Sequence, residues 1–504
     1  MALSVALLAM LIRLPVCFKG FWIDEYYTLR TARLHLGELI ADRISIGHFP
    51  LYFIYAKWGL LLGEQEWVLR LTSLLALALT IVMLTGLLGA LGQRRYLPTA
   101  WLLALFHPDW VTIGTEYRYM MPLVAAATAT TWACVSYTRN PTWRHMAILI
   151  ALAVLTTAIH PVAIFGVLAL AAFLALEPVK RSQGGLKRQI LAHSFPLVFS
   201  MISVSPMFWS IRNVQILNNP PHPPKWSRHL SNLFEITFGR PYFWNEWLGR
   251  YNLRINKHLM LWLMGLALLL AIWGARRELL RRGHHLTWRL ILTLLIVFPG
   301  VYLIFSSFVL NVHGASRYWC ILSIPSLLLL TYAWHAPLHP WLRLAYRGLL
   351  VTAIGLQFIA AMLDRGDLQR EAAQWIVRNH RPEDKVLVAR GEAFFDVFPM
   401  LGYTGTQDFG ILDTYERSSR DIATSLGQQL ESDSRLLLML YRPHAKIEKV
   451  LIHVLHSGKA AKVRLWKLNK QTSVVALARD ATDLQWLQSL PNLQRPWGTS
   501  RGDH

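Results

Sequence analysis

Apolar runs close to the roughly 20 residues needed to cross a bilayer recur through the first 363 positions of this chain. They lie near 2–18, 68–91, 96–113, 119–138, 145–159, 161–177, 190–210, 258–275, 288–310, 318–335 and 347–363. Soluble domains carry about 25% charged residues, whereas here 16% are charged and 54% hydrophobic. The recurrence predicts an α-helical polytopic membrane protein with about eleven transmembrane helices. His160-Pro161 marks the place where proline divides one long run into two. No basic stretch precedes the first run, so residues 2–18 read as a membrane helix, with Arg13 snorkelling, and not as a secretory leader.

Charge sets the orientation. The excess of 51 basic over 29 acidic residues gives a net charge of +22. Basic loops at 93–95, 139–144, 180–188, 276–289 and 343–347 fall at alternate ends of the runs. By the positive-inside rule these loops and the N-terminus are cytoplasmic. The outer side then receives the loop 19–67, the turns around Glu116, His160 and His313, the loop 211–257 and the C-terminal tail. No nucleic-acid motif accompanies the positive charge, so no nucleic-acid partner is expected. Cys17, Cys134 and Cys320 lack metal-ligand spacing and read as small core residues.

Two outer loops are too long to be simple connectors. In 19–67, Leu29, Ala32, Leu36, Leu39, Ile40 and Ile44 recur at roughly helical spacing between arginines, which predicts a helix lying in the interface. The loop 211–257, rich in Pro, Trp and Arg, reads either as a lid or as a passive connection. From residue 364 the pattern changes. Helices are expected over 367–379 and 447–455, and strands over 385–389, 435–440 and 463–467. The domain expectation is a transmembrane domain over 1–363 and a small extracytoplasmic α/β domain over 364–504.

Four polar clusters map to the outer side: Asp24-Glu25, His48, Thr115 to Tyr119 with Glu116 and Arg118, and His313 to Tyr318 with Arg317. Charges at the margin of a bilayer are costly and point to function. Singly, each has a plainer account: a solvated helix start, a packed loop histidine, a local ion pair, a helix-end anchor. A shared outer site accounts for all four. Carboxylates, cations and histidine suit a lipid-linked phosphosugar. Its polyprenyl phosphate is already a good leaving group, so the reaction needs a base for the acceptor proton and cations for the phosphate.

In these residues the chain resembles the GT-C type polyprenyl-phosphate-sugar-dependent glycosyltransferases, among them protein O-mannosyltransferases and lipid A aminoarabinose transferases. The resemblance lies in Asp24-Glu25 after the first run, Gly47 to Tyr52, Glu66 to Arg70 entering the second run, Glu116 to Met120, and Arg317-Tyr318 with Pro325. Those families often carry His-Pro-Pro where this chain has His48-Phe49-Pro50. The resemblance implies a GT-C fold, with Asp24 as base or acceptor-orienting group and Glu25 supporting it. It places Glu116, Arg118 and Arg317 at the donor and its phosphate, with His48 and Tyr318 in lesser roles. It implies a polyprenyl-phosphate-linked sugar donor, a lipid A, lipopolysaccharide, glycan or protein acceptor, and a periplasmic active site in a bacterial inner membrane. A divalent metal occurs in some relatives, but no ligand spacing here supports one. The alternative from a different class is a membrane transporter or lipid-linked-sugar flippase, which commonly shows internal repeats and midplane polar groups. Neither is visible in this sequence.

Overall fold

The computed structural model describes residues 1–21, 23–46, 48–177, 190–205, 236–237, 257–305, 316–363, 369–379, 384–390, 410–413, 419–432, 435–441, 450–451, 454, 460, 462–467, 472–479 and 490. The loop 211–257, save Ile236, Thr237 and Lys257, and the residues 313–315 of the cluster at His313 lie outside these residues. The chain divides into two compact units. One comprises Met1–Phe18 with Thr28–Asp364; the other comprises Lys19–Tyr27 with Arg365–His504.

In the first unit every apolar run carries helix within its described part. The order is α1 (Ala2–Arg13, continued by a 3-10 turn to Phe18), α2 (Ile23–Arg33, which starts in the other unit), α3 (Leu36–Ser45), α4 (Leu51–Gly59) and α5 (Glu66–Ala90). Then come α6 (Leu97–Phe106), α7 (Pro108–Gly114), α8 (Met120–Arg139), α9 (Trp143–Ile159), α10 (Ala163–Leu176) and α11 (Phe195–Ser200). The last four are α12 (Lys257–Arg281), α13 (His285–Phe305), α14 (Ser323–Trp334) and α15 (Pro340–Leu363). Glu66–Ala90 and His285–Ile304 are each long and apolar enough to cross a bilayer, and several shorter apolar helices accompany them. Leu3, Leu7, Leu11, Leu75, Leu79, Ile296, Ile304, Leu342 and Val351 all face outward. A surface so apolar is suited to lipid as its solvent, and the protein is a membrane protein.

Three expectations change. The run 96–113 is two helices, because Pro108 has no N–H to continue the ladder and starts α7. The single interfacial helix over 29–44 is also two. Lys57 donates to the carbonyls of Ala32 (3.1 Å) and Leu34 (2.8 Å), stopping α2. Glu38 receives the His35 N–H at 3.2 Å to start α3. Arg13 does not snorkel. It is buried, donating to the carbonyls of Ala9 (3.2 Å) and Ala104 (3.1 Å).

Close packing comes from small residues. Helix α5 packs on α1 and α8, and α8 on α9. Helix α8 carries Ala125, Ala126, Ala127, Ala129 and Ala133, all buried. Such residues let helix backbones approach in lipid. Thr128, Thr130, Thr131 and Thr138 donate to the carbonyl four residues back at 2.7–2.9 Å, so each hydroxyl is satisfied within the helix. Gly274 of α12 meets the end of α14, where an added Cβ would lie 3.6 Å from the Ala333 Cα and 3.1 Å from the Cβ of Ala336 just beyond the helix. Gly274→Val is therefore expected to cost about 1–3 kcal/mol by overpacking. A thermal midpoint in detergent equal to wild type would contradict this contact.

At the charged end of α12 the Glu278 carboxylate is fully buried. It accepts from Tyr96 Oη (2.7 Å), Arg281 (3.0 Å) and Arg282 (2.5 Å), with Arg95 at 3.8 Å. Burial alone would raise its pKa. The hydrogen bonds from Tyr96, Arg282 and Arg281 outweigh that and hold it below the usual carboxylate range. Gln93 adds a 2.6 Å bond to Thr287, tying the α5–α6 connection to α13.

The second unit carries α16 (Gln369–Asn379), α17 (Ser419–Ser432) and a five-stranded mixed sheet. Its strands are β1 (Lys385–Arg390), β2 (Gly410–Asp413), β3 (Arg435–Tyr441), β4 (Lys462–Lys467) and β5 (Thr472–Ala478), in the order β2-β1-β3-β5-β4. β1 runs parallel to β2 and β3, while β5 runs antiparallel to β3 and β4. Ile422, Ala423, Leu426 and Leu430 recur at helical spacing on α17 and share a core with Leu436, Leu438, Val475 and Leu477. The start of α2, with Asp24 and Glu25 in its first turn, belongs to this unit.

Candidate functional site

One of the four expected clusters is the turn between α7 and α8. Thr115 Oγ1 bonds back to the Val111 carbonyl at 2.7 Å as α7 ends. The Arg118 N–H then donates to the Glu116 carbonyl at 2.8 Å, closing a tight turn. Neighbouring helices clamp it. Ser73 Oγ of α5 donates to the Glu116 carbonyl at 2.5 Å, and the buried Tyr117 hydroxyl donates to the Ala56 carbonyl of α4 at 2.5 Å. Glu116 is buried while Arg118 is only partly so, its guanidinium 5.5 Å above the Tyr119 ring. The turn thus fixes the backbone and presents one cation on an aromatic face, a partly desolvated arrangement suited to an anion.

A chain of rings extends from that cation. Tyr119 stacks on His160, with centroids 4.0 Å apart and planes 13° off parallel. His160 lies 5.7 Å from Tyr318. In the other direction Tyr119 meets Tyr52 edge-on at 6.1 Å, Tyr52 meets Phe53 at 5.2 Å, and Phe53 meets His48 at 6.3 Å. Arg43 lies 4.6 Å over the far side of this run, on the Phe53 ring. His160 ends α9 ahead of Pro161, and its Nδ1 accepts the Val162 N–H at 3.2 Å. In the neutral ring this leaves the proton on Nε2.

The rings join three of the four expected clusters. His48 is exposed at one end, Arg118 lies in the middle, and Tyr318 is half-buried at the other end. Tyr318 rides on the 3-10 helix Ser316–Leu322, whose Cys320 thiol reaches the Met120 carbonyl at 4.0 Å. The side chain of Arg317 lies outside the described residues. Asp24 and Glu25 sit in the first turn of α2, where acids complement the helix dipole. Glu25 is wholly buried and Asp24 partly exposed.

His160 was not among the expected site residues, and Tyr119 and Tyr52 were expected only as members of their motifs, with no role assigned. A histidine ahead of a proline at the end of an apolar run was the available signal for the first. Among the described residues no group of three or more His, Cys, Asp or Glu stands together to hold a metal ion.

No protein-family model matches the sequence, and no curated protein is similar to it in sequence. Similarity appears in three dimensions. The crystal structure of ArnT from Cupriavidus metallidurans in the apo state superposes with a TM-score of 0.54 at 13% identity, over 94% of this chain and 97% of that one. The crystal structure of the same protein bound to undecaprenyl phosphate gives 0.52 at 13% identity, over 95% and 98%. The expected GT-C glycosyltransferase fold is the fold of this chain.

Proposed function

We propose that this protein, built on the GT-C fold, is an integral-membrane glycosyltransferase that takes a sugar from a polyprenyl-phosphate donor. The single observation that carries the reading is the correspondence of fold along almost the whole chain with ArnT, a protein solved with undecaprenyl phosphate bound. The clamped Arg118 at the centre of an aromatic run supports it. In this reading residues 1–363 form the catalytic domain, crossing a bacterial inner membrane about eleven times with the N-terminus cytoplasmic. Residues 364–504 and the reaction lie on the periplasmic face.

The chemistry is substitution at the anomeric carbon. An acceptor hydroxyl or amine attacks, the bond from that carbon to the phosphate oxygen breaks, and the polyprenyl phosphate leaves with the electron pair. Asp24 takes the acceptor proton, since it is the more accessible of the two acids. Glu25, wholly buried, holds the helix start and orients its neighbour. Arg118 and Arg317 meet the charge growing on the leaving phosphate, and Glu116 shapes the sugar pocket. The side chains of His48 and Tyr318 border the donor. The acceptor is lipid A, lipopolysaccharide, another envelope glycan or a protein.

Mass spectrometry of envelope lipids, glycans and proteins from cells with and without the gene tests this. A hexose or pentose increment on one acceptor class is expected to vanish with the gene, and to return when purified protein and polyprenyl-phosphate sugar are added. An unchanged envelope, together with donor translocation in proteoliposomes and no transfer, would instead identify a flippase.

A further inference from the structure

We propose that the charged end of α12 is a binding site for an anionic glycerophospholipid. Arg276, Arg277 and Arg281, with Trp273 and Leu280, line an open cavity of about 360 Å³. All three arginines and Trp273 are exposed, and the Arg277 guanidinium lies 5.4 Å over the Trp273 ring. Arg281 reaches Glu278 at 3.0 Å. That carboxylate is buried and is also held by Tyr96 and Arg282. Among the described residues no carboxylate pairs with Arg276 or Arg277. The negative end of the helix dipole offsets only about half a charge, so the groove keeps a net positive field.

The same helix face points to a lipid. Leu266, Leu269 and Leu270 are 54%, 65% and 38% exposed, and Trp273 is 44% exposed. Positions 266, 269, 270, 273, 276, 277, 280 and 281 are separated by three and four residues, so they form one continuous stripe. The stripe is apolar along its length and cationic at its end. A phosphodiester suits the planar forks of two guanidinium groups, and Trp273 suits the level where headgroup meets acyl chain. The acyl chains follow Leu270, Leu269 and Leu266. A soluble anion would use the arginines but not the leucines, and an acidic protein segment would have no use for a stripe running toward the bilayer. The site is independent of sugar transfer.

Native mass spectrometry of the full chain released from detergent tests the site, using phosphatidylglycerol and phosphatidylcholine of matched acyl chains. Wild type is expected to retain phosphatidylglycerol in preference. Arg276→Gln with Arg277→Gln is expected to weaken that retention about thirtyfold, the worth of two basic side chains near an anionic surface. Arg94→Gln with Arg144→Gln, an equal loss of charge elsewhere, is expected to keep it. Equal retention of both lipids by wild type would overturn the proposal without any variant, as would equal loss in the two double variants. Soluble glycerol phosphate displacing the lipid at matched concentration would show that the apolar stripe contributes nothing. Binding of polyglutamate with no phosphatidylglycerol preference would reassign the groove to an acidic protein partner. Either result would also overturn the lipid site.

Discussion

Asp24→Asn is expected to leave the protein folded and to slow sugar transfer by about 10²–10⁴-fold, the usual contribution of a general base. The two adjacent acids invite confusion, and their burial separates them. A base must touch the acceptor, and Asp24 is partly exposed whereas Glu25 is 0% exposed. Amide replaces carboxylate at Asp24 with the same shape, so the thermal midpoint should stay near wild type while the rate falls at saturating donor. Glu25→Gln should lower both, because the buried position takes part in the packing of the helix start. Arg118→Gln supplies the partner test. If Asp24 and Arg118 act on one transition state, the double variant will be far less impaired than the product of the single losses. A near-wild-type rate for Asp24→Asn would remove it from the chemistry.

The second large effect is on stability. Glu278→Ala is expected to destabilise the helical unit by about 3–5 kcal/mol, the cost of removing one partner from a buried ion pair. Arg95, Arg281 and Arg282 are about half exposed, so water recovers part of their charge and the lower end of that range is expected. Against typical stabilities of about 5–15 kcal/mol, this is a large fraction. Glu278→Gln should cost less, since it can still accept from Tyr96. The sign with pH follows from the depressed carboxyl. A carboxylate stabilised in the folded state contributes fully above its unfolded pKa and loses that contribution as pH falls through its folded pKa. The difference between wild type and Glu278→Gln should therefore be constant near neutrality and shrink below the ordinary value of 4.5. A difference that grows on acidification would contradict the arrangement.

The helical unit was largely legible because periodicity and apolar length report on it directly. What escaped was local. The α2–α3 break leaves no trace in the apolar spacing, since both helices bury the same kind of residue and the stop comes from Lys57 on another helix. In the second unit β1, β3 and β4 were expected, and β2, β5 and α17 were not. Strand β5 is the instructive miss. Thr472–Ala478 lies between β3 and β4 with Val474 to Ala478 buried, so it lacks the alternation that marks a half-buried strand. In the site, single residues at helix ends stood out because a charge beside lipid is conspicuous. Tyr119 and Tyr52 stood inside the expected motifs with no role of their own, because what an aromatic ring does in an apolar chain is set by neighbours the sequence does not name.

Arg13 adds a matter of timing. Its guanidinium rests on the carbonyl of Ala104, 91 residues further along. Chains are made at about 5–20 residues per second, so Ala104 follows Arg13 by roughly 5–18 s. Arg70 differs, since its acceptor, the Cys17 carbonyl, is made first. The threonines of α8 differ again, each satisfied four residues back as soon as its turn forms. The buried end of the first helix is therefore completed only once α6 has been made. Until α6 arrives its one cation has only the Ala9 carbonyl and whatever water or headgroup is near. Biogenesis of this protein carries a built-in waiting period, whose end is set by the ribosome's progress to residue 104.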